Sequence, residues 1–257
     1  MVIVKLIKSK DYAEMCQKAA RIFAAQVTLK PASVLGLATG STPVGMYQEL
    51  VKKYDEGKVD FSAVRTVNLD EYVGLSGDND QSYRYFMNHN LFDHINIDKA
   101  NTHVPSGLAA DLEAECADYE AVVASMGGVD IQLLGIGNNG HIGFNEPCDC
   151  FPVTTHPVDL TESTITANAR FFATMDEVPK KAITMGIGTI MKAKKIVLMA
   201  NGKGKAQIIY DTIFGPVTPQ VPASVLQLHP DVLVFVDEEA YSVIAEKCTP
   251  EQLATIL

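Results

Sequence analysis

Apolar, β-branched runs alternate with helical patterns along almost the whole chain, and that alternation is what most restricts the fold. VIVKLI (2–7), SVLGLA (33–38), RTVNLDEY (65–72), VDIQLLGIG (129–137), KKIVLMA (194–200) and DVLVFV (231–236) read as strands, with NTHVP (101–105) and KAITMG (181–186) as shorter ones. Between them DYAEMCQKAARIFAAQV, VGMYQELVKKY, QSYRYFMNHNLF, DLEAECADYEAVVASM and GKAQIIYDTI repeat apolar residues at helical spacing. Most of the strands are apolar without a break, so both faces of the sheet must be covered, as in a mostly parallel α/β sheet with helices on each side. The expected fold is therefore a Rossmann-like α/β domain. Ligands in such folds bind beyond the carboxyl ends of the strands, and those segments are where chemistry is to be sought.

A chain of 257 residues with no internal repeat and no low-complexity linker is read as a single domain, 1–257. Its net charge of −10 is the wrong sign for a nucleic-acid footprint, so no nucleic-acid partner is expected. An anionic ligand would need a few locally placed cations. The opening MVIVKLIKSKDYAEM has too short an apolar run for a signal peptide, and no stretch approaches the ~18 apolar residues of a membrane span. The five cysteines are scattered without a CxxC pair and read as reduced thiols of a cytoplasmic protein. Cys148 and Cys150 flank Asp149 but lack further ligands at a metal-site spacing, so no metal is expected.

Four strand ends carry residues that packing alone does not ask for. In LGLATGSTPVGMY (35–47), Ser41 and Thr42 precede a helix that Pro43 begins, so free N–H groups and hydroxyls suit a phosphate; a plain N-cap by either hydroxyl is the alternative. In VNLDEYVGL (67–75), Asn68 and Asp70 share one face and Glu71 the other. Asp70 can serve as a general base if burial lifts its pKa; it can equally cap a turn. GIGNNGHIGFNEP (135–147) places His141, a proton shuttle near neutral pH, five residues before Glu146, which can orient the imidazole while Asn139 holds its other side. After KKIVLMA, Lys203 or Lys205 can supply a cation at a helix start, and Arg170 in TANARFF is another isolated cation.

TGSTP, NLDEYVGL, GIGNNGHIGFNEP, TANARFF, ITMGIGTIMKAKKI and LQLHPDVLVFVDEEA, in this order over nearly the whole chain, together resemble the glucosamine-6-phosphate deaminases of the glucosamine/galactosamine-6-phosphate isomerase family. The resemblance implies conversion of glucosamine 6-phosphate and water to fructose 6-phosphate and ammonia, without metal or organic cofactor. It makes Asp70 the enolisation base, His141 the ring-opening shuttle and Glu146 its orienting partner. Ser41, Thr42, Arg170 and, of the two lysines, Lys205 would bind the phosphate. It also implies a helical lid over the strand ends, roughly 152–179.

Two departures qualify it. Asn139 stands where allosteric members carry aspartate, so support of His141 falls more on Glu146. The stretch CDCFPVTTHPVDLTES after NEP has no Lys or Arg, where those members bind an N-acetylated sugar phosphate. A shorter, non-allosteric type is expected, monomeric or a small homo-oligomer. Two other readings compete. A sugar-phosphate lactonase of the same fold would have no use for Asp70, and a sugar-phosphate sensor would bind without turnover.

Overall fold

The computed structural model describes residues 4–256 except 163, 164, 167, 168, 170, 171, 173, 175 and 176. Strands β1 (Val4–Lys8), β2 (Val34–Leu37), β3 (Arg65–Asn68), β5 (Thr102–His103), β6 (Ile131–Leu134), β9 (Ile196–Ala200) and β10 (Val232–Val236) form one sheet in the order β1-β10-β9-β6-β2-β3-β5. All of its pairings are parallel. Every residue of β2, β6, β9 and β10 is buried, which accounts for their apolar sequences, broken only by Gln132 in β6.

Helices cover the sheet. α1 (Tyr12–Leu29) starts where Asp11 accepts the Glu14 N–H at 2.8 Å and buries Met15, Ala19, Phe23 and Val27 at helical spacing. It packs against α2 (Val44–Asp55), which buries Met46, Tyr47 and Leu50. α3 (Tyr83–Asn90) and α4 (Leu112–Ser125) precede β5 and β6 respectively, and α4 is followed by Gly127 and Gly128 at positive φ, as the sequence anticipates. α5 (Ile187–Ile190), α6 (Ala206–Phe214), α7 (Glu238–Lys247) and α8 (Pro250–Leu253) complete the described helices. Among the described residues no helix is long and apolar enough to cross a membrane.

Two expectations need correction. RTVNLDEY is not one strand. β3 ends at Asn68, and Asp70–Tyr72 form β4, which pairs antiparallel with β8 (Lys181–Thr184) in a separate sheet ordered β4-β8-β7, where β7 is His156–Asp159. Leu69 is the point of exchange: its N–H donates to Leu37 O on the parallel sheet and its carbonyl accepts from Met185 N beyond β8. KAITMG accordingly belongs to the small antiparallel sheet. The segment read as a lid begins with β7; the helix expected through TESTITANAR, and Arg170 with it, falls largely on residues outside those described.

Candidate active site

Chain order fixes where a ligand fits. From β2 the sheet grows outward through β3 and β5, then the chain returns to place β6, β9 and β10 on the other side. The direction reverses between β2 and β6, the switch point at which parallel sheets open a crevice. The loops leaving these two strands are ATGSTP and GIGNNGHIGFNEP. A cavity of about 990 Å³ lies there, lined by Ser41, Thr42, Asp70, Asn139, His141 and Lys205 among others. Residues separated by up to 164 positions thus share one wall system.

Asp70 is 6% exposed at the first position of β4. Burial, and secondarily the neighbouring charge of Glu71, pushes its carboxyl from 3.8 up to about 8. Glu71 points the other way, as strand alternation requires. Its carboxylate accepts the N–H groups of Tyr72 (2.9 Å), Tyr83 (2.8 Å) and Arg84 (2.9 Å), the last two at the start of α3. Free helix N–H groups make an anion tolerable there, although burial still raises the Glu71 pKa. Gly143, at φ +59°, lets the GHIGFNEP segment pass this carboxyl: a Cβ there would lie 2.7 Å from Thr184 Oγ1 and 3.6 Å from Asp70 Oδ2.

Across the cavity the Nδ1 of His141 sits 3.1 Å from Glu146 Oε1. The carboxylate lies off the line of an Nδ1 hydrogen, so this is an electrostatic contact rather than an aligned hydrogen bond. Asn139 Nδ2 donates to Glu146 Oε2 at 2.5 Å, and Asn139 Oδ1 accepts from the His141 main-chain N–H at 3.2 Å. Asn139 therefore reaches the histidine through its backbone and through Glu146, not by holding the far side of the ring. One carboxylate serves both side chains.

At the cavity's other end α2 starts after Pro43, and the plain N-cap by Ser41 or Thr42 does not form. Lys205, in the turn after β9, lines the cavity while Lys203 does not. It is half-buried, its ammonium makes no ion pair or hydrogen bond among the described residues, and burial alone pushes its amine pKa down. A partly desolvated ammonium that lines one cavity with Ser41 and Thr42 is arranged for an anion.

An aromatic wall went unread in the sequence. Tyr72 and Tyr83 have ring centroids 4.7 Å apart, Tyr83 stacks on Phe144 at 6.1 Å, and Phe172 meets Tyr72 edge-on at 6.2 Å. Their meeting depends on β4 leaving the main sheet, for which no local pattern exists. Among the described residues no three His, Cys, Asp or Glu side chains group as a metal site requires.

Comparison with known proteins fits this geometry. Residues 8–235 match the family described as glucosamine-6-phosphate isomerases/6-phosphogluconolactonase. A glucosamine-6-phosphate deaminase of Lachnoclostridium phytofermentans is 63% identical over 232 residues, 90% of this chain and 98% of its own. That of Clostridioides difficile is 58% identical over 244 residues, 95% and 98% of the two chains. The structure of a monomeric glucosamine-6-phosphate deaminase superposes with a TM-score of 0.91 at 49% identity, covering 93% of this chain and 100% of that one. A 6-phosphogluconolactonase from Trypanosoma brucei, 18% identical with a TM-score of 0.71 over 94% of this chain and 99% of its own, shares the fold.

Proposed function

This chain is an enzyme of the glucosamine-6-phosphate isomerase/6-phosphogluconolactonase family, and on that premise we propose that it converts glucosamine 6-phosphate and water to fructose 6-phosphate and ammonia. The observation that carries the reading is the pairing of a buried carboxyl, Asp70, with a separate His141–Glu146 couple across one cavity. Lactone hydrolysis needs a histidine to activate water and leaves Asp70 without work. Deamination needs both. The deaminase names of the most similar relatives above support the same choice.

The steps follow from the positions. The phosphate sits against Ser41, Thr42 and Lys205, with Arg170 as a further cation. His141 takes the proton of the anomeric hydroxyl and returns one to the ring oxygen as the ring opens, while Glu146 stabilises the imidazolium formed in between. Asp70, as carboxylate, takes the C2 proton next to the new aldehyde as O1 gains a proton, giving an enolamine, and delivers its proton to C1 while the nitrogen gives one up. The product is the C2 imine of the ketose. Water adds to it and ammonia leaves, so atoms balance with no redox partner. The chain is read as a single cytoplasmic domain that uses neither metal nor organic cofactor and binds no nucleic acid. With no Lys or Arg in 148–163, it works as a monomer or small homo-oligomer without activation by an acetylated sugar phosphate.

The test is product release from glucosamine 6-phosphate in chelator-containing buffer, with and without N-acetylglucosamine 6-phosphate. Ammonia and fructose 6-phosphate in equal amounts, at a rate indifferent to the acetylated sugar, are expected. Hydrolysis of 6-phosphogluconolactone without ammonia release would assign the chain to the lactonases, and binding without turnover would make it a sensor. Lys205→Met is expected to raise KM about 10- to 100-fold, the worth of a charge-assisted phosphate contact. Its melting temperature should not fall, because an unpaired, half-buried ammonium costs the empty fold. A KM unchanged from wild type would remove Lys205 from the phosphate site.

A further inference from the structure

The loop 38–43 has no regular structure, so its backbone polar groups need other partners. Side chains supply several of them. Tyr47 of α2 donates its hydroxyl to Ala38 O at 2.6 Å and accepts the Ala38 N–H at 3.3 Å. Tyr12, the first residue of α1, lies 3.1 Å from Ser41 O and 3.0 Å from Thr42 O, and its oxygen accepts the Gly45 N–H at 2.9 Å. Thr42 Oγ1 is 3.1 Å from Asn201 Oδ1, at the end of β9 and four residues before Lys205.

Tyr12 is more than filler. Position 45 has no room for a side chain: a Cβ would lie 2.8 Å from Cys16 Sγ and 3.1 Å from the Tyr12 hydroxyl oxygen. α2 is therefore glycine where α1 presses its phenol against the helix start. In a planar trans peptide the N–H points opposite to the C=O, so fixing the Ser41 carbonyl on Tyr12 turns the Thr42 N–H away from α1. Asn201 in turn ties the Thr42 side chain to the segment that carries Lys205. That segment is itself pinned, since Gly202 N donates to both carboxylate oxygens of Asp237, at 3.1 and 2.9 Å.

We propose that Tyr12 and Asn201 are positioning residues that clamp the 38–43 loop from two sides and hold it in its phosphate-binding shape before substrate arrives. The proposal rests on the reading of Ser41, Thr42 and Lys205 as the phosphate site. A loop already ordered loses less entropy on binding, so affinity rises without a new contact to the ligand. Burial holds the Tyr12 phenol up at about 12, so it stays a donor across the working pH range. Neither residue touches the reacting carbons, and the effect belongs in binding.

The experiment uses Tyr12→Phe, Asn201→Ala and Asn201→Ser in the full chain, with inorganic phosphate titrated calorimetrically and glucosamine 6-phosphate followed kinetically. Tyr12→Phe keeps the ring and removes only the hydroxyl. The expected result is about a tenfold weaker phosphate affinity and a KM higher by the same factor, with kcat changed less than about twofold and the melting temperature little altered. Asn201→Ala should behave likewise, and Asn201→Ser, which keeps a hydrogen-bonding group, should recover part of the loss. Unchanged phosphate affinity in Tyr12→Phe, or a fall in kcat at constant KM, overturns the clamp. Wild-type protein that binds no inorganic phosphate overturns the phosphate site and the clamp together, a result distinct from failure in the variants alone.

Discussion

Asp70→Asn lowers kcat by about 10²–10⁴, the range for loss of a positioned general base, while inorganic phosphate binds as before. Asparagine fills the same space at the head of β4 but accepts no proton, so C2 deprotonation stops and the phosphate end of the cavity is untouched. Exchange of the C2 hydrogen with solvent deuterium should vanish with ammonia release, which ties the loss to enolisation. The wild-type pH profile belongs to the same argument. With the Asp70 carboxyl pushed up to about 8, kcat/KM rises about tenfold per pH unit below that value and levels above it. Stability moves oppositely. The folded-state pKa lies above the unfolded 3.8, so the folded protein holds a proton that the unfolded chain has released between about pH 4 and 8. The wild type therefore loses stability relative to Asp70→Asn as pH rises through that window, by at most about 1.4 kcal/mol per unit. Above about 8 the gap is constant. A variant that still releases ammonia, or one whose melting temperature tracks the wild type's at every pH, would remove Asp70 from its role.

How much of this was legible follows from range. Val34–Leu37, Ile196–Ala200 and Val232–Val236 announce a parallel sheet because buried parallel strands are apolar on both faces. His141 and Glu146 were readable as a couple because five residues and a tight, glycine-rich turn separate them. What long-range pairing decides was not. The break at Leu69 depends on Met185, 116 positions away, and the alternating pattern of RTVNLDEY runs straight across it. Glu71 offered no hint that it would hold the start of α3, and Lys203 and Lys205 differ only in which one the turn aims into the cavity. Asn139 was placed beside His141 correctly, but its amide proved to be spent on Glu146.

Gly137→Ala lowers kcat/KM by about 10²-fold, the cost of misplacing a reacting group by roughly 1 Å, without unfolding the protein. A Cβ at 137 would lie 2.3 Å from His141 Cε1, 2.4 Å from Nε2 and 2.5 Å from Nδ1, well inside van der Waals contact. The Gly137 φ is not in the left-handed region, so alanine meets no backbone strain of that kind and its nearest clash is with the imidazole. That ring is held from behind by Glu146, which Asn139 holds in turn, while Gly137 N donates to His141 O at 2.9 Å and closes the turn. The imidazole can only swing away from its carboxylate partner or into the space the sugar needs. The loss should be specific to ring opening. Substrate supplied as the open-chain aldehyde would recover much of the rate in Gly137→Ala and none in Asp70→Asn, which separates the shuttle from the base. Equal losses on closed and open substrate would instead mean that alanine disturbs the whole cavity. In that case the glycine would be present for the sugar rather than for the histidine.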